Sequence, residues 1–215
     1  MWRKPLARMA EYVPLLRQGL RGERLRQFRL GVEPPGEVPI YLAAVNPKML
    51  RLAGALADGV LLTWVPLAAV PQVVAEIRRG AEEAGRDPSR VDIALYLRAC
   101  VTDDAEAARQ WLRRDLTGYA VADVYSRVFR HYGFEAEIEG MQRAWQRGER
   151  AAAVQQISDR MVEALGLVGS AAACRERLAA FAAAGISLPV VFPIAPGGTA
   201  AELRRTLEAL APQAA

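Results

Sequence analysis

Four short apolar runs, each followed by a segment whose apolar residues recur at helical spacing, constrain the fold of this sequence most strongly. The runs are Val38–Val45, Val60–Val65, Val91–Val101 and Leu188–Ile194. Short apolar runs between turn residues predict strands buried on both faces, which are typical of parallel sheets covered by helices. The sequence therefore predicts an α/β fold, either a doubly wound sheet or a (β/α)₈ barrel.

Chain length narrows the barrel alternative. A closed barrel of this kind needs eight strands and about 250 residues, whereas this chain has 215 residues and shows four strand patterns. If the fold is a barrel, we expect a partial TIM (β/α)8 barrel with about four parallel βα units plus extra helices.

Helical segments separate the predicted strands. Apolar spacing, caps and prolines place helices at Pro5–Leu20, Pro47–Leu56, Pro66–Ala84, Asp103 or Asp104 to Leu116, Ala171–Ala184 and Thr199–Leu210, with further helices and no strand over 118–165. Pro14 interrupts the first helix and predicts a kink or a break. The Glu33–Gly36 segment, EPPG, predicts a linker. We therefore expect a leading helix with its linker over 1–36 and a single domain over 37–215.

The formal net charge of +4 raises the question of nucleic-acid binding. Residues 1–29 carry eight Lys and Arg side chains against two acidic ones, so the remainder of the chain is slightly acidic. The aromatic residues of that segment, Trp2, Tyr12 and Phe28, are too far apart to form a base-stacking platform. The basic segment is therefore interpreted as a solvated helix face, and we expect no nucleic-acid partner.

The first residues and two apolar stretches bear on localisation. Arg8 and Glu11 lie where a secretory signal needs an apolar core. Stretches 52–75 and 178–201 are long enough to cross a membrane, but their prolines and glycines favour buried strand–helix pairs. We expect a cytoplasmic protein with no membrane partner.

Few residues offer metal or nucleophilic chemistry. His131 is the one histidine of the sequence, and Cys100 and Cys174 are its two cysteines. These three residues cannot supply the four ligands of a common zinc site, and a single histidine excludes most His-based catalytic pairs. We expect no metal site, and the sequence identifies no catalytic residue.

A longer pattern in residues 38–62, VPIYLAAVNPKMLRLAGALADGVLL, points to a family. It resembles the fifth and sixth βα units of the luciferase-like monooxygenase superfamily, in particular the branch whose members use the deazaflavin coenzyme F-420. The segments AGRDPSRVDIALYLRACVTDD and AAACRERLAAFAAAGISLPVV are similar to that family's approach to strand seven and to its last helix and strand. The resemblance implies the C-terminal half of a bacterial luciferase-like barrel, with the N-terminal half absent.

The resemblance also implies a cofactor-binding turn. In this family the end of the fifth strand and the following turn hold the cofactor's phosphate. By position, the corresponding residues of this chain are Ala43, Ala44, Val45 and Asn46. Small residues let a ligand approach the backbone, and the amino end of a helix favours an anion. Asn46 stands where many relatives have glycine; asparagine tolerates a left-handed backbone, although its side chain can crowd a phosphate. The alternative is a tightly packed strand–helix junction.

Other residues are weaker candidates. Thr63 and Trp64 end the second strand, on the side where barrel active sites form, so they are candidates to face ring or substrate; packing under a loop is the alternative for Trp64. Arg98, in an apolar strand, requires an anionic partner if it is buried, either a carboxylate or a ligand phosphate; an internal ion pair or emergence of the side chain at the strand end is favoured. Asp58 is interpreted as a turn-former bonding nearby backbone. The Pro196–Thr199 loop enters a helix whose amino end can weakly assist an anion.

Three functions remain open. The resemblance implies an oxidoreductase that uses coenzyme F-420 for hydride transfer to or from a small-molecule substrate, with an FMN-dependent monooxygenase as the close alternative. The third is a non-catalytic cofactor-binding or association module. A half barrel exposes sheet edges and an apolar inner face, so we expect a homo-oligomer or a complementary N-terminal half as partner.

Overall fold

The computed structural model describes residues 4–32 and 34–212. Residue 33 of the predicted linker, residues 1–3 of the leading segment and residues 213–215 of the predicted domain lie outside the described residues. In chain order the elements are α1 (Pro5–Leu20), β1 (Tyr41–Ala43), α2 (Pro47–Leu56), β2 (Gly59–Thr63), α3 (Val70–Glu83), β3 (Asp92–Val101), α4 (Ala105–Ala120), α5 (Asp123–His131), α6 (Glu135–Gln146), α7 (Arg150–Gln155), α8 (Asp159–Leu165), β4 (Gly166–Gly169), α9 (Ala171–Ala183), β5 (Leu188–Pro193) and α10 (Ala200–Leu210).

The strands pair in parallel wherever their register is defined. In the pair β1–β2, Tyr41 lies opposite Gly59, and in the pair β3–β4, Arg98 lies opposite Gly166. The strand order is β1-β2-β3-β4, and β5 also pairs with β3. This topology confirms the predicted α/β fold, with a parallel sheet and many helices.

The chain divides into two compact units. The first comprises Met1–Leu62, Pro71–Ala94 and Gly185–Leu188, and the second comprises Thr63–Val70, Leu95–Ala184 and Pro189–Ala215. In the second unit, α4 to α8 surround a core whose largest fully buried members are Trp64, Leu112, Leu116, Phe129, Ile138, Met141, Ile157 and Met161. This helical layer holds α4 in place.

In the first unit, α2 and α3 meet at two glycines. A Cβ atom on Gly54 would lie 2.0 Å from the carbonyl oxygen of Ile77, and one on Gly80 would lie 2.0 Å from that of Arg51. The helix backbones can approach this closely only because both positions lack a side chain. The contact fixes α2, and with it the turn that leads from β1 into its first residue.

Two strand and helix boundaries differ from the sequence prediction. The stretch 118–165 contains no strand, as predicted, but β4 at Gly166–Gly169 is a strand that the sequence did not predict. This four-residue strand begins and ends with glycine, so it is too short to show a period. The predicted helix Pro66–Ala84 is a 3₁₀ turn at Leu67–Ala69 followed by α3 from Val70. Pro71 explains the later start, because its ring clashes with the carbonyl four residues earlier in a continuous helix.

The remaining helices follow the prediction more closely. α1 and α2 have the predicted bounds, and α1 continues through Pro14, so a break at that residue is wrong. α4 is capped by Asp104 and extends four residues past Leu116. Among residues 4–32 and 34–212, no helix combines the length and the apolar character needed to cross a membrane.

We predict that replacing Gly54 by alanine lowers the free energy of unfolding by about 3 kcal/mol, because the new methyl group would overlap backbone of α3. Gly118 in α4 is the control, since a Cβ atom there meets nothing within 4 Å. Gly118→Ala should raise stability by up to about 1 kcal/mol through helix propensity. Urea unfolding of both variants measures the difference; equal midpoints would contradict the close approach of α2 and α3.

Candidate functional site

The turn between β1 and α2 carries the predicted cofactor-binding residues. Asn46 is the N-cap of α2, with an extended backbone (φ −132°, ψ 154°), and its side chain accepts a hydrogen bond of 3.1 Å from the Met49 amide. Asn46 therefore does not use the left-handed backbone that asparagine tolerates. The asparagine is selected here for capping, because its amide oxygen satisfies one of the helix's free N–H groups.

The other predicted residues of this turn differ in accessibility. Ala43 is exposed, whereas Ala44 is buried and its amide already donates to the Leu61 carbonyl at 3.3 Å. The amides of Val45, Asn46 and Lys48 donate to no group in the part of the chain that the structure describes. Free amides at the amino end of a helix, beside an exposed lysine, are a donor set that suits a phosphate.

A second cluster forms around Arg98, which is buried on β3 with 8% of its surface exposed. Its Nε donates to Asp115 at 3.2 Å, Nη1 to the Thr63 hydroxyl at 2.7 Å and Nη2 to the Tyr119 hydroxyl at 3.0 Å. The guanidinium also stacks on the Trp64 ring, 3.9 Å from its centroid. The structure thus brings both predicted substrate residues, Thr63 and Trp64, into contact with Arg98.

Trp64 is the most unusual residue of this cluster. Its backbone is left-handed (φ 57°), its side chain is 1% exposed and its indole Nε1 has no hydrogen-bond partner among the described residues. The ring makes edge contacts with Tyr119 and Phe129, with centroids 5.4 and 6.5 Å away. A bulky residue in this backbone region is strained, and such strain is found mainly where function requires a fixed side chain.

Burial dominates the electrostatics of the Arg98 cluster. Desolvation raises the pKa of Asp115, and the neighbouring Arg98 only partly opposes that rise. Desolvation likewise raises the pKa of Tyr125, whose ring contacts Tyr119 at 4.8 Å. The only carboxylate paired with Arg98 in the described residues is therefore one that holds its charge less firmly than usual.

Sequence analysis did not identify Asp115 and Tyr119. Both lie on α4 four residues apart, so they share one helix face and reach Arg98 together. The requirement that a buried arginine has an anionic partner predicted an internal ion pair, and the Arg98–Asp115 pair is that partner. The sequence could not select Asp115 among the several acidic residues, because the choice depends on how α4 packs.

Two other anionic groups satisfy local donors. Asp58 pairs with Arg17 at 3.0 Å and accepts from the Ile40 amide at 2.8 Å. Burial pushes the pKa of Asp58 up, but these bonds outweigh it and hold the pKa below its usual value. At α10, the Glu202 carboxylate accepts from the Gly197 and Thr199 amides, both at 3.0 Å. This chain's own carboxylate thus occupies two amides of the Pro196–Thr199 loop, which leaves fewer donors there for a ligand anion.

Metal chemistry has no obvious location in the described ranges. No group of three or more His, Cys, Asp or Glu side chains is arranged there to hold an ion. Cys100 and Cys174 are buried and free, and burial raises the pKa of each thiol. A thiol with a raised pKa is a poor nucleophile at neutral pH, which fits a packing role for both.

Comparison with known proteins defines the class of the chain. The family model described as luciferase-like monooxygenase matches residues 1–188, and the chain belongs to this family. The resemblance drawn from residues 38–62 is thereby confirmed.

Several curated relatives are named as reductases. The 5,10-methylenetetrahydromethanopterin reductase of Methanolobus tindarius is 31% identical over 191 residues, which cover 82% of this chain and 57% of that protein. The enzyme of the same name from Archaeoglobus fulgidus is 28% identical, with 91% and 63% covered. The chain thus spans about three fifths of the length of these relatives.

Solved structures show the same fold. The coenzyme F-420 dependent tetrahydromethanopterin reductase of Methanopyrus kandleri superposes with a TM-score of 0.74 at 21% identity, covering 94% of this chain and 61% of that one. An EDTA monooxygenase from Chelativorans superposes with a TM-score of 0.56 at 15% identity, covering 95% and 58%. Both are TIM-barrel-like neighbours, which supports the barrel interpretation over the doubly wound sheet.

We predict that Asp115→Asn lowers the free energy of unfolding by about 2 kcal/mol, because it leaves the Arg98 cation buried without a counter-charge. The cost is below that of a fully buried pair, since the Asp115 side chain is 25% exposed. Glu83→Gln is the control: it breaks the Arg79–Glu83 pair, in which both side chains are 59% exposed, and should change stability by less than about 0.5 kcal/mol. Thermal unfolding that ranks the two variants equally would contradict a structural role for the buried pair.

Proposed function

We propose that this chain is an oxidoreductase of the luciferase-like type that uses coenzyme F-420 for hydride transfer to or from a small organic substrate. Residues 37–215 would form the C-terminal half of the family's barrel. The observation that carries the proposal is the β1–α2 turn, where the amides of Val45, Asn46 and Lys48 have no partner among the described residues and lie at the amino end of α2, next in sequence to the exposed Ala43 and the buried Ala44. The names of the relatives, which specify coenzyme F-420 enzymes, support the choice of cofactor.

The residues fit the phosphate-bearing end of such a cofactor. The amides of Val45, Asn46 and Lys48 would donate to phosphate oxygens, and Ala43 and Ala44 would leave room for them. When bound, the deazaflavin supplies the hydride chemistry, and the chain's part is to position the ring and to exclude water. Thr63 and Trp64 would contact the substrate, and the chain's catalytic residues are not assigned.

The compartment we propose is the cytoplasm. Cys100 and Cys174 are both free and buried, which is typical of a protein kept in a reducing environment.

We also propose that the inner face of the sheet is covered by a second copy of the chain or by a complementary N-terminal half. In the second unit, Tyr96 on β3 and Phe192 on β5 are 36% and 46% exposed and contact each other at 6.5 Å. These two aromatic rings, in contact on neighbouring strands, are the exposed apolar surface that supports the proposal.

Association through this face predicts that Tyr96→Lys shifts sedimentation of the purified protein towards monomer, since a lysine ammonium would have to be desolvated in the interface. Val124→Lys is the matched control, because Val124 is 40% exposed and lies on α5 rather than on a strand. If the unchanged protein and both variants all sediment as monomers, the result argues against a second copy as the partner. Co-purification with a separately expressed N-terminal half of a relative would then test the other partner.

For the cofactor, we predict that Asn46→Asp weakens binding of coenzyme F-420 at least about ten-fold, because a carboxylate beside the phosphate repels it. Aspartate caps a helix as well as asparagine does, so the melting temperature should stay within about 2 °C. Cofactor fluorescence during titration measures the affinity.

The control adds the same charge at another helix. Ser170 is the N-cap of α9 and is exposed, so Ser170→Asp should leave cofactor affinity unchanged. Tight binding of FMN with no binding of the deazaflavin would reject coenzyme F-420 in favour of the monooxygenase alternative. If Asn46→Asp binds both cofactors as tightly as the unchanged protein does, the assignment of the turn to phosphate binding is contradicted.

A further inference from the structure

The Arg98 cluster contains more hydrogen-bond donors than acceptors. A guanidinium carries five N–H groups, and three of them donate to Asp115, Thr63 and Tyr119. The other two make no hydrogen bond with any described residue. Each guanidinium nitrogen of Arg98 therefore has one partner, and two N–H groups of the guanidinium remain able to donate to a further acceptor.

The two hydroxyls of the cluster are also oriented as donors. The oxygen atoms of Thr63 and Tyr119 each accept a hydrogen bond from Arg98. Neither hydroxyl donates to another group within the part of the chain that the structure describes, so each keeps its own hydrogen for an outside acceptor. A single arginine therefore sets two neighbouring hydroxyls to donate.

Trp64 supplies an independent observation of the same kind. Its indole Nε1 is a donor only, is buried with the 1% exposed side chain, and has no partner within the described residues. The indole is the ring on which the Arg98 guanidinium stacks, so this unmet donor belongs to the same cluster.

The cluster has fewer hydrogen-bond acceptors than N–H and O–H donors. Asp115 takes one N–H of Arg98, and its side chain is 25% exposed, so its other oxygen can be hydrated by solvent. Phe192, which is 46% exposed, lies with its ring centroid 5.6 Å from the Arg98 guanidinium carbon. The cluster thus presents unmet donors and a cation next to an accessible apolar ring.

We propose that Arg98, Thr63, Tyr119 and Trp64 form a binding site for an oxyanion, either a carboxylate or a phosphate group, whose oxygens accept the unmet N–H and O–H donors. Phe192 provides the apolar surface for the carbon atoms attached to that group. The site is defined by its donors and does not depend on the identity of the cofactor; only the assignment of the oxyanion to a substrate rests on the proposed function.

The test uses the full chain labelled with ¹⁵N and titrated with inorganic phosphate at constant ionic strength, with chloride as the balancing salt. The indole N–H resonance of Trp64 and the Nε–H resonance of Arg98 should shift and saturate. Arg98→Gln should abolish the saturable shift, and Tyr119→Phe should weaken phosphate binding about ten-fold, because a hydrogen bond to a charged group is lost.

Matched variants keep the result decisive. Arg114 neighbours Asp115 on α4 but is exposed, so Arg114→Gln removes the same charge and should leave phosphate binding unchanged. If Arg98→Gln fails to fold, Tyr119→Phe and Thr63→Val decide, since each removes one hydroxyl and keeps the side chain's shape. The proposed site is overturned if the resonances shift without saturating as phosphate is added. It is also overturned if Tyr119→Phe and Arg114→Gln bind phosphate with the same affinity.

Two further arms identify the source of the oxyanion. Coenzyme F-420 and its phosphate-free riboside are titrated by fluorescence into the unchanged protein and into Tyr119→Phe. If Tyr119→Phe weakens binding of the intact cofactor but not of the riboside, the oxyanion belongs to the cofactor. If Tyr119→Phe weakens phosphate binding and leaves cofactor binding unchanged, the oxyanion belongs to a substrate. If neither cofactor binds, the proposed function fails while the phosphate titration still supports or overturns the site.

Discussion

Burial of the Arg98 cation is the constraint on which the second unit depends. Moving a guanidinium out of water costs several kcal/mol, and the cost is recovered only where carboxylate, hydroxyl and ring contacts surround it. Those contacts come from Thr63 at the end of β2, from Trp64 after it, and from Asp115 and Tyr119 on α4. The packing of α4 against β3 is thereby tied to a polar network, which specifies geometry more tightly than an apolar contact would.

In the first unit, the candidate site consists of backbone amides rather than side chains. Backbone donors cannot be aimed by choosing a rotamer, so their direction depends on where the helix begins. Asn46 fixes the first turn of α2 by capping it, and the paired glycines Gly54 and Gly80 fix how closely α2 lies on α3. The Asn46 cap and the close approach of α2 and α3 at Gly54 and Gly80 therefore determine where the free amides of Val45, Asn46 and Lys48 lie.

The sequence predicts most of the fold, because long apolar periods and proline positions are local signals. α2 begins at Pro47 and ends at Leu56 as predicted, and the pattern of residues 38–62 leads to the correct family. β4 escapes prediction because GLVG is stabilised by pairing with β3 rather than by its own residues. For the same reason the sequence marks Arg98 as needing a carboxylate but cannot choose Asp115, since that choice is made by tertiary packing.

Some hydrogen-bond donors of this chain have acceptors within the chain, and others have none among the described residues. Where donors serve only the fold, this chain satisfies them itself: Glu202 occupies the amides before α10, and Asp58 takes Arg17 and the Ile40 amide. Around Arg98, by contrast, the buried indole Nε1 of Trp64 has no partner among the described residues. Unmet donors near buried charge are destabilising in the free protein, so their persistence is best explained by an acceptor that arrives with a ligand.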